Sequence, residues 1–154
     1  MIVKGDILFN KKFIYETGAT DEKLLVILNS PSQGEPFLFV KTTSQQHDKP
    51  KTSGCIEDRH RSLFHIPAKK DFFRDDTWVQ IYSFEAMDHD YIVSHPDINK
   101  IGSLKPKTIN GIMDCLFKTW GDNIAPWQKK LLQPSLNESI FKLKEKFNNK
   151  LKPS

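Results

Sequence analysis

At 154 residues, 38% of them hydrophobic and 27% charged, the chain fits a single domain able to bury about 68–70% of its unfolded surface with no covalent staple. Its two cysteines, Cys55 and Cys115, exclude a disulfide-dense scaffold, and the absence of a Cys-x-x-Cys pair makes a reducing cytoplasm the default compartment. A net charge of +4 suits an acidic partner, while no run approaches the ~20 apolar residues of a membrane span and MIVKGDILFNKK holds no signal-peptide stretch, so a soluble, cytoplasmic chain is expected.

The first element is a strand over Lys4 to Phe9, KGDILF, where polar and apolar residues alternate after Gly5. From there to Glu22 the chain is polar apart from Phe13, Ile14 and Tyr15, and reads as a loop with an aromatic tip, able to cover a binding surface or to anchor itself on the core. Lys23 to Gln45 organises the rest. Leu24 to Leu28 and Phe37 to Val40 are apolar runs separated by a segment rich in Pro, Ser and Gly, the pattern of two antiparallel strands. In such a hairpin Lys23 and the hydroxyl-rich end, Lys41-Thr-Thr-Ser-Gln45, meet at the end of the sheet opposite the turn.

Gln46 to Arg61 is polar and punctuated by Pro50 and Gly54, so it reads as a loop. Leu63 to Ile66, Trp78 to Phe84 and Tyr91 to Val93 read as further strands, with Ile98 to Leu104 leading into a helix over Lys105 to Trp120. In that helix Ile109, Ile112, Met113, Leu116, Phe117 and Trp120 form one continuous stripe, Pro106 fits the first turn and Gly121 stops it. Trp127 to Gln133 is a second amphipathic piece, and Ser135-Leu-Asn-Glu138 has the spacing of a capping box opening a Lys-rich last helix. Strands first and helices last indicate an α+β, mainly β architecture, with a domain over residues 1–120 and a helical extension over 121–154.

The order of these motifs resembles the MazF/PemK family of toxin ribonucleases over residues 1–118. MIVKGDILF is similar to the family's first strand with its Gly-Asp, LLVIL to the second, and FLFVKTTSQ to the third, which ends in a Thr followed by a small residue. Phe64 to Ser83 is similar to the family's strand, basic and aromatic turn, and strand; Ile101-Gly-Ser-Leu104 with the Ile109 to Phe117 stripe is similar to its Ile-Gly-x-Leu and terminal helix. Where the family has an Arg-Pro before the second strand, this chain reads Asp21-Glu-Lys-Leu24, leaving Lys23 as the cation there. The resemblance implies an SH3-like small barrel of five to seven strands with C-terminal helices. It implies a metal-independent endoribonuclease that cuts single-stranded RNA to 2′,3′-cyclic phosphate and 5′-OH ends, works as a homodimer and is held by an antitoxin.

Carried onto this sequence, the catalytic positions are Lys23 and Thr43. Metal-free RNA cleavage needs a group that removes the 2′-OH proton, a cation for the developing charge and an acid for the leaving oxygen. Lys23 supplies the cation as a point charge, Thr43 a hydrogen-bond donor, and His47, His60 or His65 a group that titrates in the useful range. RNA contacts are expected from Lys12, Lys41, Ser44, Gln45, Lys69, Lys70 and Arg74, with Tyr15 as a stacking ring. Cys55, His60 and His65 match no common zinc spacing, so neither metal nor cofactor is expected. The competing class is a non-catalytic SH3-like module that binds a protein or nucleic acid, favoured by the missing Arg.

Overall fold

The computed structural model describes residues 1–133 apart from Gln33 and His47; the capping box at Ser135 and the helix expected after it lie outside the described residues, as does His47. The described residues fall into two compact units, Met1–Asn123 and a second beginning at Ile124.

The first unit is built on one antiparallel sheet of seven strands. In chain order these are β1 (Asp6–Ile14), β2 (Thr20–Ile27), β3 (Phe37–Thr43), β4 (Gly54–Ile56), β5 (Leu63–Ile66), β6 (Thr77–Met87) and β7 (Ile98–Ser103). In space they run β4-β5-β6-β3-β2-β1-β7, so among the described residues β4 and β7 are edges and the ladder does not close on itself. Among the described residues the first unit also carries the α-helices α1 (His89–Ser94) and α2 (Pro106–Trp120), and the second unit carries α3 (Pro126–Leu132). None of the described helices is long and apolar enough to cross a membrane.

Alternation along paired strands assigns the two faces. Leu8, Leu25, Ile27, Phe37 and Phe39 share one face and form a cluster with Phe13, Ile98 and Ile92 of α1. Val26, Leu38, Val40 and Val79 point to the other. The α2 stripe buries Ile109, Ile112, Met113 and Leu116, with the helix lying against β4, β5 and β6. Pro106 occupies the first turn as expected. At Gly5, φ is +92°, a left-handed conformation that lets the chain turn into β1 while donating its N–H to Ile27 O at 2.8 Å.

Several expectations are corrected. The segment after Phe9 is not a long loop: β1 continues to Ile14 and a turn at 15–19 leads directly into β2. It survives as strand because Phe13 is buried, packing edge-to-face on Phe39 at 6.3 Å. Tyr91 to Val93 is not a strand but part of α1, whose first turn is capped by Asp88 accepting from Tyr91 N; a run of three apolar residues cannot separate the two periods. The Gln46 to Arg61 stretch contains β4. Most consequentially, the cysteines are not free thiols: Cys55 of β4 and Cys115 of α2, 60 residues apart, are joined at an S–S distance of 2.10 Å.

Candidate functional site

The first face of the sheet is covered at one end by the aromatic cluster and left open at the other. The β2–β3 ladder runs from Ile27↔Phe39 to Leu25↔Lys41 and stops there. Beyond it Thr42 Oγ1 donates to Leu24 O at 3.2 Å, a side-chain bond in place of the next backbone pair. The strands part, and the gap is a pocket of about 210 Å³ lined by Lys23 and Asp21 on β2, Thr43 on β3, and Ser44 and Gln45 just beyond it. Thr43 Oγ1 accepts the Gln45 N–H at 3.2 Å, which leaves its own hydroxyl proton free to donate. Lys23 and Thr43 thus line one pocket at the end of the hairpin opposite its turn.

Two β-bulges flank this open end. On β1, Lys11 and Lys12 together oppose Glu22, between the pairs Asn10↔Lys23 and Phe13↔Asp21; the Lys12 N–H donates to Asn10 Oδ1 at 3.0 Å. On β6, the residues from Ile81 to Phe84 oppose Val40 alone, between Phe39↔Glu85 and Lys41↔Gln80. Ser83 bridges that bulge, its Oγ accepting the Lys41 N–H at 2.8 Å and donating to Gln80 O at 2.6 Å. Bulges end regular pairing and re-aim side chains. Here the result is a second pocket of about 340 Å³, sharing Lys23 with the first and lined also by Tyr15, Lys41, Gln80 and Tyr82. The Lys41 Nζ stands 4.7 Å from the centre of the Phe13 ring and 5.2 Å from that of Tyr15, so its charge is held against aromatic faces at the cleft wall.

The remaining expected site residues are elsewhere. Lys69, Lys70 and Arg74 lie on the β5–β6 turn, which reaches the β7–α2 junction, where Asp71 accepts the Lys105 N–H at 3.1 Å and the Phe72 ring covers Gly102. Arg74 is exposed beside Asp75. His60 is exposed in the turn ordered by Asp58, whose carboxylate accepts from the backbone of His60 and Arg61. His65 is a core residue, 2% exposed and stacked on Trp78, with Nε2 hydrogen-bonded to Asp76 Oδ1 at 2.9 Å. That bond, helped by the Ala68 N–H, holds the Asp76 carboxyl below its usual range. Neither His60 nor His65 lines either pocket. Cys55, being disulfide-bonded, has no thiolate to offer a metal, and no group of three potential ligands occurs among the described residues.

Sequence reasoning missed Asp21, Gln80, Tyr82 and Ser83. The even alternation of Trp78 to Phe84 hid the bulge; Ser83, a small hydroxyl residue between Tyr82 and Phe84, was its trace. The site thus pairs Lys23 and Lys41 with Asp21 and Glu22, a balanced set of charges rather than a uniformly basic groove. The fold and site together define a mainly β, antiparallel-sheet protein with a polar cleft at the splayed end of its central hairpin. No protein-family model and no curated protein matches the chain.

Proposed function

We propose that this chain is a metal-independent endoribonuclease of MazF/PemK type, its seven-stranded sheet a form of the SH3-like barrel and its substrate single-stranded RNA. The observation that carries the reading is the meeting of Lys23, Thr43 and Asp21 in one pocket between parted strands. Each supplies something the reaction needs. The Lys23 ammonium stabilises charge developing on the phosphorane oxygens, and the Thr43 hydroxyl donates to one of them. The Asp21 carboxylate, on the lining of that pocket, takes the 2′-OH proton; the 2′-oxygen bonds to phosphorus as the P–O5′ bond breaks, and the leaving 5′-oxygen takes up a proton from water. The Tyr15 and Tyr82 rings in the adjoining pocket offer stacking surfaces for an unpaired base, with Lys41 and Gln80 beside them. Mixed charge around Lys23 suits proton transfer more than simple phosphate gripping, which favours catalysis over a passive nucleic-acid-binding module. A homodimer neutralised by an antitoxin, in the cytoplasm, belongs to the same proposal.

The test is incubation of purified protein with a long single-stranded RNA in excess EDTA, beside Lys23→Ala, Thr43→Ala and Asp21→Asn. Discrete cleavage lost or reduced at least ~100-fold in each variant supports the reading. Full activity in Lys23→Ala and Thr43→Ala would place any nuclease centre elsewhere, and RNA bound without being cut would favour the non-catalytic module.

A further inference from the structure

We propose that the Cys55–Cys115 disulfide is a thiol–disulfide exchange site, through which a dithiol reductant releases the β3–β4 loop and so changes the pocket at Lys23 and Thr43. The exchange itself is independent of the ribonuclease reading; its effect on RNA rests on that reading.

The argument starts from what holds the loop. It leaves β3 at Thr43 and immediately contributes Ser44 and Gln45 to the pocket. At its near end Gln45 N donates to Thr43 Oγ1, and midway the Trp78 indole N–H donates to Pro50 O at 2.9 Å. At its far end stands β4, three residues long, at the edge of the sheet and paired with β5 alone. So short an edge strand contributes little hold of its own. The covalent link to α2 is the firm anchor, and it fastens the loop to a helix whose inner face is core.

The two sulfurs are placed unequally. Cys55 is exposed while Cys115 is 1% exposed, so an incoming thiolate reaches only the Cys55 sulfur. Attack there forms a mixed disulfide with Cys55 as the Cys55–Cys115 bond breaks; the Cys115 sulfur leaves with the bonding pair and takes up a proton. The reductant's second thiol then displaces Cys55, which is protonated in turn. The protein gains two electrons and two protons, and the dithiol becomes a disulfide. The reduced state is also accommodated: Cys115 Sγ lies 3.7 Å from Leu63 O, within reach of a thiol donor, so the buried group keeps a partner.

The experiment compares the intact, full-length protein before and after treatment with dithiothreitol without denaturant, by hydrogen-exchange mass spectrometry and by RNA cleavage in EDTA. Expected are two new thiols, alkylated first at Cys55, and, at exchange times short enough that only local opening is read, exchange accelerated about tenfold or more across residues 44–56 with β1 to β3 still protected. Re-oxidation should restore the slow pattern, and Cys55→Ser/Cys115→Ser should match the reduced protein. Resistance to the reductant, unchanged exchange over 44–56, or protection lost equally across the whole sheet at those short times would each overturn the proposal. Released exchange with RNA cleavage unaltered would overturn its effect on the pocket. RNA uncut in both redox states would instead count against the ribonuclease reading, leaving the exchange data to decide the loop's release.

Discussion

Replacing Asp6 with Ala should weaken the fold by about 2–4 kcal/mol at neutral pH, as three donors converge on this one carboxylate. Asp6 is 2% exposed at the start of β1. It accepts from Val3 N at 2.8 Å and Ser103 Oγ at 2.7 Å, and pairs with Lys100 Nζ at 3.2 Å, so it ties the N-terminal turn to the middle and the end of β7. Hydrogen bonds to a charged acceptor contribute about 1.5–3 kcal/mol each, but Lys100 is 42% exposed and can turn to water, so the full sum is not lost. Burial pushes the carboxyl up from its ordinary value of 3.8, yet the Val3 N–H, the Ser103 hydroxyl and Lys100 outweigh it and leave it lowered. The sign follows: a carboxyl whose folded value lies below its unfolded one contributes stability that is fully present above the unfolded value. That contribution disappears as pH falls through the folded value. Urea unfolding should therefore show a wild-type midpoint about 1–2 M above that of Asp6→Ala at pH 7, with the two curves converging below the ordinary carboxylate range. A gap under about 0.5 kcal/mol at pH 7, or one that stays constant down to pH 2, would refute the reasoning.

Gly5→Ala should cost about 1–2 kcal/mol although a Cβ there meets nothing closer than 3.8 Å, because the penalty lies in φ +92°; Gly5→Asn, more tolerant of that region, should cost less in the same melts. Ile112→Ala, on the buried stripe of α2, should cost about 2–5 kcal/mol by urea unfolding and leave the far-ultraviolet spectrum unchanged. Cys55→Ser/Cys115→Ser opens a link spanning 60 residues, worth about 4 kcal/mol by chain entropy, so Tm should fall by about 10 °C. A double variant melting within ~2 °C of wild type would show that the link constrains the unfolded chain far less.

What could be read from the chain is what depends on period and on local chemistry. The Ile109 to Phe117 stripe announced α2, and the two apolar runs of the central hairpin announced β2 and β3 and brought Lys23 to Thr43. What escaped depends on partners distant in sequence. Lys11 and Lys12 look like loop residues until Asn10 and Phe13 are seen to keep pairing around them in a bulge. His65 resembles a candidate base until Trp78 and Asp76 enclose it. The union of Cys55 and Cys115 depends on a helix folding back onto an edge strand, which residue counting cannot foresee. The Asp71 contact with Lys105 belongs to the same class, since it joins a turn to a helix start 34 residues away.

The most direct test of the central claim is the chemistry of the ends left on a long single-stranded RNA cut in excess EDTA. A Lys23, Thr43 and Asp21 centre predicts 2′,3′-cyclic phosphate on one fragment and 5′-OH on the next, with Asp21→Asn abolishing both. Fragments bearing 5′-phosphate, or RNA left whole by a protein that is folded and disulfide-bonded, would contradict it.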